Sequence, residues 1–222
     1  MKSESLLDCS KKISNDIQAV FCLNPSKYSR KEIANKLENN TDNLAIPEQV
    51  HSTVVEFARI PGSYPAADGL VTTNSNILLT LKVADCVPVY FFEPKKHIIG
   101  LVHSGWRGTV GGIIINTVKL MQKHGAEIGK ILVYMGPAIG GCCYEVDTEV
   151  SDLFDNEAKL QVNNRKWKID LHKQIRLQLI ESGIAVSNIQ ASDICTYESL
   201  ICHSYRRDGS EAGRMYAFMG MK

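Results

Sequence analysis

Two reactive side chains stand at either end of a short hairpin-like stretch: Cys86 in Ala84-Asp85-Cys86, and His103 in His103-Ser104-Gly105-Trp106-Arg107-Gly108. The run Val87-Pro88-Val89-Tyr90-Phe91-Phe92 reads as a buried strand, and His97-Ile98-Ile99-Gly100-Leu101-Val102 reads as its return. Glu93-Pro94-Lys95-Lys96 supplies turn chemistry between them. An even turn that faces Phe92 with His97 puts Cys86 directly opposite His103. Directly opposed residues hold their Cβ atoms about 4.5–5.5 Å apart on one face. A thiol and an imidazole at that distance can share a metal ion or a proton. A bulge at Pro88 would loosen the arrangement.

A second imidazole, His51 in Gln49-Val50-His51-Ser52, precedes another strand-like stretch. Two histidines and one cysteine suit a zinc-type ion, and a three-ligand tripod leaves a fourth position open. The spacing is long, 35 residues and then 17. The trio therefore depends on the fold to assemble it and matches no local zinc-finger pattern. His97, His124 and His172 read as a turn, a helix end and a helix position, where an ordinary hydrogen-bonding histidine is expected. Arg107, set between glycines, offers a planar cation for phosphate or carboxylate, with a surface arginine at a tight turn as the bland reading. The Gly136–Cys143 stretch reads as a loop able to line a substrate. It lacks the lysine of a P-loop, and Cys142 and Cys143 read as packing residues. In His203-Ser204-Tyr205-Arg206-Arg207-Asp208, solvated surface is the default and a buried arginine ion pair the alternative.

The elements that must position these groups form strand clusters with few helices between them. Expected strands are Ser52–Ile60, Val71–Thr73, Ile77–Val83, the hairpin, Lys130–Met135, Trp167–Ile169, Ile189–Ile194 and Met215–Met219. Expected helices are Tyr28–Leu37 with Ser29 as cap, Gly111–His124, Asp147–Phe154, and one capped by Asp170 that runs to Ser182. Residues 1–50 carry the weakest signals. This pattern predicts an α+β fold with mixed sheets.

Composition sets the limits. The 222 residues are 44% hydrophobic and 22% charged, with a formal net charge of +1. That balance gives no electrostatic case for nucleic acid. No apolar run approaches the roughly 18 residues of a membrane span. Met1–Cys9 lacks the apolar stretch of a secretory signal. Seven cysteines, an odd number spread along the chain, suit reduced thiols. Cytoplasmic localisation is the resulting expectation.

Taken together the motifs resemble the laccase-domain family formerly labelled multicopper polyphenol oxidase. Its members are regarded as purine nucleoside phosphorylases with adenosine deaminase activity. The resemblance rests on Gln49-Val50-His51, Ala67–Thr72, Ala84–Val89, His103–Gly108, Gly136–Val146, Asp170-Leu171, Ser204–Asp208 and Gly213-Arg214, in the family's order. It implies a four-layer α/β/β/α sandwich of mixed β-sheets over a single domain, 1–222, whose first 48 residues diverge from the family. It also implies zinc on His51, Cys86 and His103, with copper possible by substitution. The family's arginine about twenty residues before its first histidine corresponds to Arg30, where Ser29 replaces the usual asparagine; the Gly-Gly-Val-Ser stretch is missing.

The expected activity is metal-dependent phosphorolysis of adenosine, inosine, guanosine or methylthioadenosine, with adenosine deamination beside it. Purine nucleosides and phosphate are then the partners, and Arg30 and Arg107 the candidates for holding phosphate. The His-x-Glu and Pro-Cys-x-x-Cys signature of nucleobase deaminases is absent from the chain. Deamination would rest on a different arrangement, with Asp68 or Asp85 as acid/base and Cys86 and His103 at its centre. Three alternatives stand beside it: a copper-dependent polyphenol oxidase, a metal-free hydrolase with Cys86 as nucleophile and His103 as base, and a binding protein whose metal site is closed by Cys142 or Cys143.

Overall fold

The computed structural model describes residues 6–23 and 28–222. Residues 1–5 of the stretch read for a signal lie outside the described residues. The chain runs through β1 (Leu6–Asp8), β2 (Ile17–Cys22), α1 (Arg30–Lys36), β3 (Leu44–Pro47), β4 (Val55–Phe57), β5 (Gly62–Tyr64), β6 (Gly69–Thr72) and β7 (Leu78–Val83). The hairpin β8 (Val87–Glu93) and β9 (Ile98–Ser104) follows, then α2 (Trp106–Val110), α3 (Ile113–Lys123) and β10 (Leu132–Met135). The last part holds β11 (Glu145–Asp147), α4 (Thr148–Ser151), β12 (Lys159–Gln161), β13 (Lys166–Ile169), α5 (Leu171–Glu181), β14 (Ile189–Ala191), α6 (Tyr205–Asp208) and β15 (Met215–Met221).

Two six-stranded sheets dominate. One has the order β1-β2-β15-β7-β3-β5, the other β14-β10-β8-β9-β6-β4; β11, β13 and β12 form a small third sheet. Both large sheets are mixed, with β3 parallel to β5 and β7, and β10 parallel to β14, among antiparallel pairs. The inner faces pack on each other. Phe21, Leu79, Leu81 and Ala217 of the first sheet meet Leu70, Tyr90, Phe92, Ile99 and Leu101 of the second in one buried cluster. The Tyr90 hydroxyl crosses that seam and donates to the Val20 carbonyl at 3.1 Å.

Helices cover the outer faces. Ile113, Val118 and Met121 of α3 and Leu171, Ile175 and Leu179 of α5 lie on Val87, Val89, Phe91 and Val102. On the far side, Ile33 and Ala34 of α1 cover Cys22, Leu44, Leu78 and Phe218. The result is the expected α/β/β/α sandwich. Every residue of β8 and β9 is buried because alternate residues enter different layers. That is why the hairpin reads as unbroken apolar runs and not as an alternating pattern.

Local signals explain the helix limits. Ser29 and Glu32 close a capping box on α1, and the Asp170 carboxylate accepts from the Lys173 N–H at the start of α5. The expected helix over 111–124 begins instead at Ile113. Gly112, at φ +89°, turns the chain left-handed and separates α3 from the short α2. The strand expected over 52–60 shrinks to β4, because Ser52 is drawn into a side-chain network described below. Likewise the strand expected to end at Ile194 stops at Ala191, beyond which Cys195 forms an isolated bridge with Ala138.

The hairpin register also differs from expectation. Phe92 faces Ile99 and Pro88 faces His103. Glu93 extends the strand, and its carboxylate accepts the Lys95 and Lys96 N–H groups at 3.3 and 2.7 Å, which moves the turn to residues 94–97. Cys86 is therefore not directly opposite His103. It stands diagonally from it, on the same face, one residue beyond the last ladder pair Val87–Ser104.

Candidate active site

The inter-sheet seam opens at one end of β6, β8 and β9, and the reactive residues gather there. The diagonal placement of Cys86 and His103 still joins them, because the position opposite Cys86 is Gly105. A Cβ at Gly105 would lie 2.8 Å from Cys86 Sγ and 3.3 Å from His51 Cδ2. Only glycine leaves the thiol room to turn toward the imidazoles. Cys86 hydrogen-bonds to both His103 and His51. The two imidazole rings meet edge to face, with centroids 4.9 Å apart. The ligand-type atoms of His51, Cys86 and His103 all lie within 4.8 Å of one another.

Asp68 organises this trio. It lies fully buried just before β6. Its carboxylate accepts the N–H groups of Val50, His51 and Ser52 at 3.0, 3.0 and 2.6 Å, and the Ser52 hydroxyl at 2.9 Å. Asp68 Oδ1 lies 2.8 Å from His103 Nδ1. Burial pushes this carboxyl up, but the bonds from His103 and Ser52 outweigh it and hold the group at about 2. A carboxylate on Nδ1 fixes the tautomer that presents Nε2 on the other side. The loop is fastened at its other end by Gln49, whose side-chain amide bonds the Lys82 carbonyl at 2.7 Å and N–H at 2.9 Å. Gln49, His51 and Asp85 all sit at positive φ, +56°, +61° and +79°. Backbone strain of this kind concentrates at functional sites.

The thiol and imidazole polarise each other. Burial pushes the Cys86 thiol up, yet His103 and His51 outweigh it and bring it from 9.0 down to about 6. Burial pushes His103 down, but Cys86 and Asp68 raise it from 6.5 to about 9. Without a metal the pair is thus a thiolate and an imidazolium at neutral pH. Three ligands of this type with an open side fit a zinc-class or copper ion. The trio's group contains no fourth His, Cys, Asp or Glu among the described residues. Cys142 and Cys143, considered as closing ligands, belong to a separate group.

The trio lines a cleft of about 620 Å³ together with Gln49, Lys82, Asp85, Trp106, Arg107, Tyr144, Tyr205, Arg206 and Arg214. The guanidinium groups lie over aromatic rings: Arg107 at 4.3 Å from the Trp106 centroid, Arg206 at 5.0 Å from Tyr144, and Arg214 at 5.9 Å from Tyr205. The cleft can therefore hold an oxyanion on its cations and a flat ring on its aromatic faces.

The structure revises several sequence expectations. Arg30 does not line the cleft; it sits on α1 with its guanidinium 5.1 Å from the Tyr216 ring centroid. Asp68 stands behind His103 and points into the loop. Asp85 borders the cleft, but its oxygens are engaged by the Thr196 and Ser204 hydroxyls at 2.6 and 3.1 Å and the Arg206 N–H at 2.7 Å. Asp68 is turned away from the cleft and holds the histidines, while Asp85 borders the cleft and holds the Thr196 and Ser204–Arg206 segments. Arg206, taken as solvated surface, lines the cleft, while Arg207 pairs with Asp208 at 2.8 Å. Gln49, Lys82, Tyr144 and Arg214 were not among the expected site residues, although all but Lys82 stand in the stretches that carry the family resemblance. The pairing of an arginine with an aromatic in Trp106-Arg107 and Tyr205-Arg206 was the available signal.

The family described as multi-copper polyphenol oxidoreductase laccase matches residues 22–222. The chain is similar to purine nucleoside phosphorylase YlmD of Geobacillus stearothermophilus, 42% identical over 168 residues, which cover 71% of this chain and 61% of that protein. It is also similar to YlmD of Bacillus subtilis, 39% identical over 165 residues, 71% of this chain and 59% of the relative. The matched region thus spans about 60% of the length of these two relatives. Purine nucleoside phosphorylase SERP0752 of Staphylococcus epidermidis is 33% identical over 207 residues, 86% of this chain and 77% of that one. The crystal structure of YlmD from Geobacillus stearothermophilus superposes with a TM-score of 0.92 at 30% identity, covering 100% of this chain and 98% of that one.

Proposed function

Because the chain belongs to the multi-copper polyphenol oxidoreductase laccase family, whose relatives bear the name purine nucleoside phosphorylase, we propose that it is a metal-dependent purine nucleoside phosphorylase with adenosine deaminase activity, acting as a single domain over 1–222. One observation carries the reading: the open His51–Cys86–His103 group and the guanidiniums of Arg107, Arg206 and Arg214 share one cleft.

In phosphorolysis a phosphate oxygen bonds to ribose C1′ as the C1′–N9 bond breaks, and the base leaves with a proton. Arg107, Arg206 and Arg214 hold the phosphate, with Lys82 adding charge at the rim. The faces of Trp106, Tyr144 and Tyr205 hold the purine or ribose. Asp68 fixes His103, and the Asp68-bound loop fixes His51. In deamination water adds at purine C6 and ammonia leaves. His51, Cys86 and His103 are the residues that would hold zinc, which when bound lowers the pKa of a bound water toward ~7 and polarises oxygen.

A four-copper oxidase would need more imidazoles than this cleft presents. His124 stacks on Phe57 with centroids 3.6 Å apart, and His172 bonds the Gly136 carbonyl at 3.0 Å; neither lines the cleft. One copper could replace zinc on the trio, since copper binds such donors more tightly. The order Asp68–His103–Cys86 also has the form of a cysteine-hydrolase triad, which gives the metal-free reading its one supporting observation.

The test is product analysis of zinc-loaded protein given adenosine, with and without phosphate, beside Cys86→Ala and a chelator-treated sample. Adenine with ribose 1-phosphate formed only with phosphate, or inosine in either case, supports the proposal if both controls are dead. Full activity after metal removal transfers the reading to the triad. No turnover of adenosine or inosine by the loaded protein overturns it.

A further inference from the structure

A second group of ligand-type side chains lies outside the cleft. Cys142 and Cys143 occupy the turn between β10 and β11, and Cys195 and Glu198 the turn after β14. Their donor atoms lie within 4.8 Å of one another, with Cys142 Sγ 3.2 Å from Cys143 Sγ. Donors arranged tetrahedrally around zinc at about 2.3 Å would stand about 3.8 Å apart. Cys142 and Cys143 stand slightly closer than that, and no pair in the group exceeds it by more than about 1 Å.

The surroundings are those of a prepared sulfur site. Cys195 Sγ accepts the Gly140 N–H at 3.2 Å, and the N–H groups of Tyr197 and Glu198 also bond to it. Three backbone donors on one sulfur suit a thiolate. Space is reserved as well: a Cβ at Gly140 would lie 3.0 Å from Cys142 Sγ and 3.4 Å from Cys195 Sγ. The turn itself is braced by Arg207, which donates to the carbonyls of Thr196, Tyr197, Ser199 and Cys202. Thr196 N–H closes onto the Ala138 carbonyl at 2.9 Å. Burial, with the charge of Cys195 adding to it, pushes the Cys142 and Cys143 thiols up, as expected where several thiols crowd together without a cation.

We propose that Cys142, Cys143, Cys195 and Glu198 form a second, structural metal site that takes one soft divalent cation of the zinc class. Four protein ligands make it a closed site, unlike the open trio. Its occupation joins the 137–144 loop to the 195–198 turn. Tyr144, the residue after Cys143, lines the cleft, and Thr196, the residue after Cys195, holds Asp85. The second ion therefore braces one wall of the cleft without touching substrate. The proposal does not depend on what the cleft does.

Metal content of the full chain, purified under reducing conditions and loaded with zinc, tests it. Wild type should hold two zinc ions per chain, Cys86→Ala one, Cys195→Ser one, and the double variant none. Cadmium titration of the Cys86→Ala protein should give thiolate-to-cadmium ultraviolet absorption that saturates at one equivalent. Cys142 is exposed, so Cys142→Ser tests the site without disturbing the core, and it should lose that absorption in part and weaken binding. A single zinc in wild type that vanishes in Cys86→Ala overturns the site. So does a Cys86→Ala protein with no cadmium–thiolate absorption, or one in which two of the three thiols are found joined as a disulfide under reducing conditions.

Discussion

Asp68 Oδ1 lies 2.8 Å from His103 Nδ1, while the same carboxylate accepts the His51 N–H at 3.0 Å. One buried charge thus sets the position of both histidines. Asp68→Asn should lower zinc affinity about 10- to 100-fold, the range for loss of a ligand's hydrogen-bonding carboxylate. Competition with a chromophoric chelator measures it. The carboxyl's folded value, about 2, lies below its ordinary 3.8. Its stabilising contribution is present above pH 3.8 and is lost as pH falls through about 2. Acid unfolding of the metal-free wild type should therefore show a component in that window that Asp68→Asn lacks.

Gly105→Ala should abolish binding at the trio while leaving the fold intact. The added methyl would meet Cys86 Sγ at 2.8 Å, and relief of such overpacking costs about 1–3 kcal/mol. Metal stoichiometry should fall by one ion per chain with an unchanged far-ultraviolet spectrum. Retained stoichiometry would show that Cys86 binds from another rotamer.

In metal-free protein, Cys86 should be the fast-alkylating thiol. With the group at about 6, its rate with iodoacetamide should be flat above pH 7 and fall tenfold per unit well below 6. Buried Cys9, pushed up to about 12, should not react in the folded state. Zinc should protect Cys86. Because His103 holds its proton up to about 9, zinc uptake at pH 7 to 8 should release that proton, and affinity should rise with pH toward 9. An alkylation midpoint near 9.0 would contradict the thiolate–imidazolium pair.

Arg107→Ala and Arg206→Ala should each raise KM for phosphate about 10- to 100-fold, the equivalent of a hydrogen bond to a charged group. Arg30→Ala should leave it unchanged, since Arg30 lies over Tyr216 and outside the cleft. Its cost should appear as about 0.5–1 kcal/mol of stability, read by urea denaturation.

The trio was legible because His51, Cys86 and His103 each stand at the end of a strand-like run, and because face parity survives a register shift of this kind. The register itself was not legible. Glu93 reads as a turn residue, yet its carboxylate caps the turn N–H groups while its backbone pairs with Ile98. The helices followed from Ser29, Asp170 and the spacing along α3, while their arrangement as outer layers of a sandwich came from the family resemblance. The first fifty residues hid β2: Ile17–Cys22 is a short run interrupted by Gln18, and it is buried between the second sheet on one face and α1 on the other. Arg206 and Arg30 exchanged roles for a related reason. Charge marks a residue as solvated or functional, and only tertiary placement decides which.

The Gln49–Ser52 loop is tied to β7 of one sheet through Lys82 and to the start of β6 in the other through Asp68. It works as a hasp across two leaves, so the width of the entrance is a gauge of how the leaves are aligned. Substitutions deep in the seam, such as Tyr90→Phe with its lost bond to Val20, cost about 0.5–1.5 kcal/mol of stability. Their larger effect should be on admission, because a small slip between the leaves would move His51 relative to Cys86. Turnover should fail in such variants at temperatures where the sandwich is still folded.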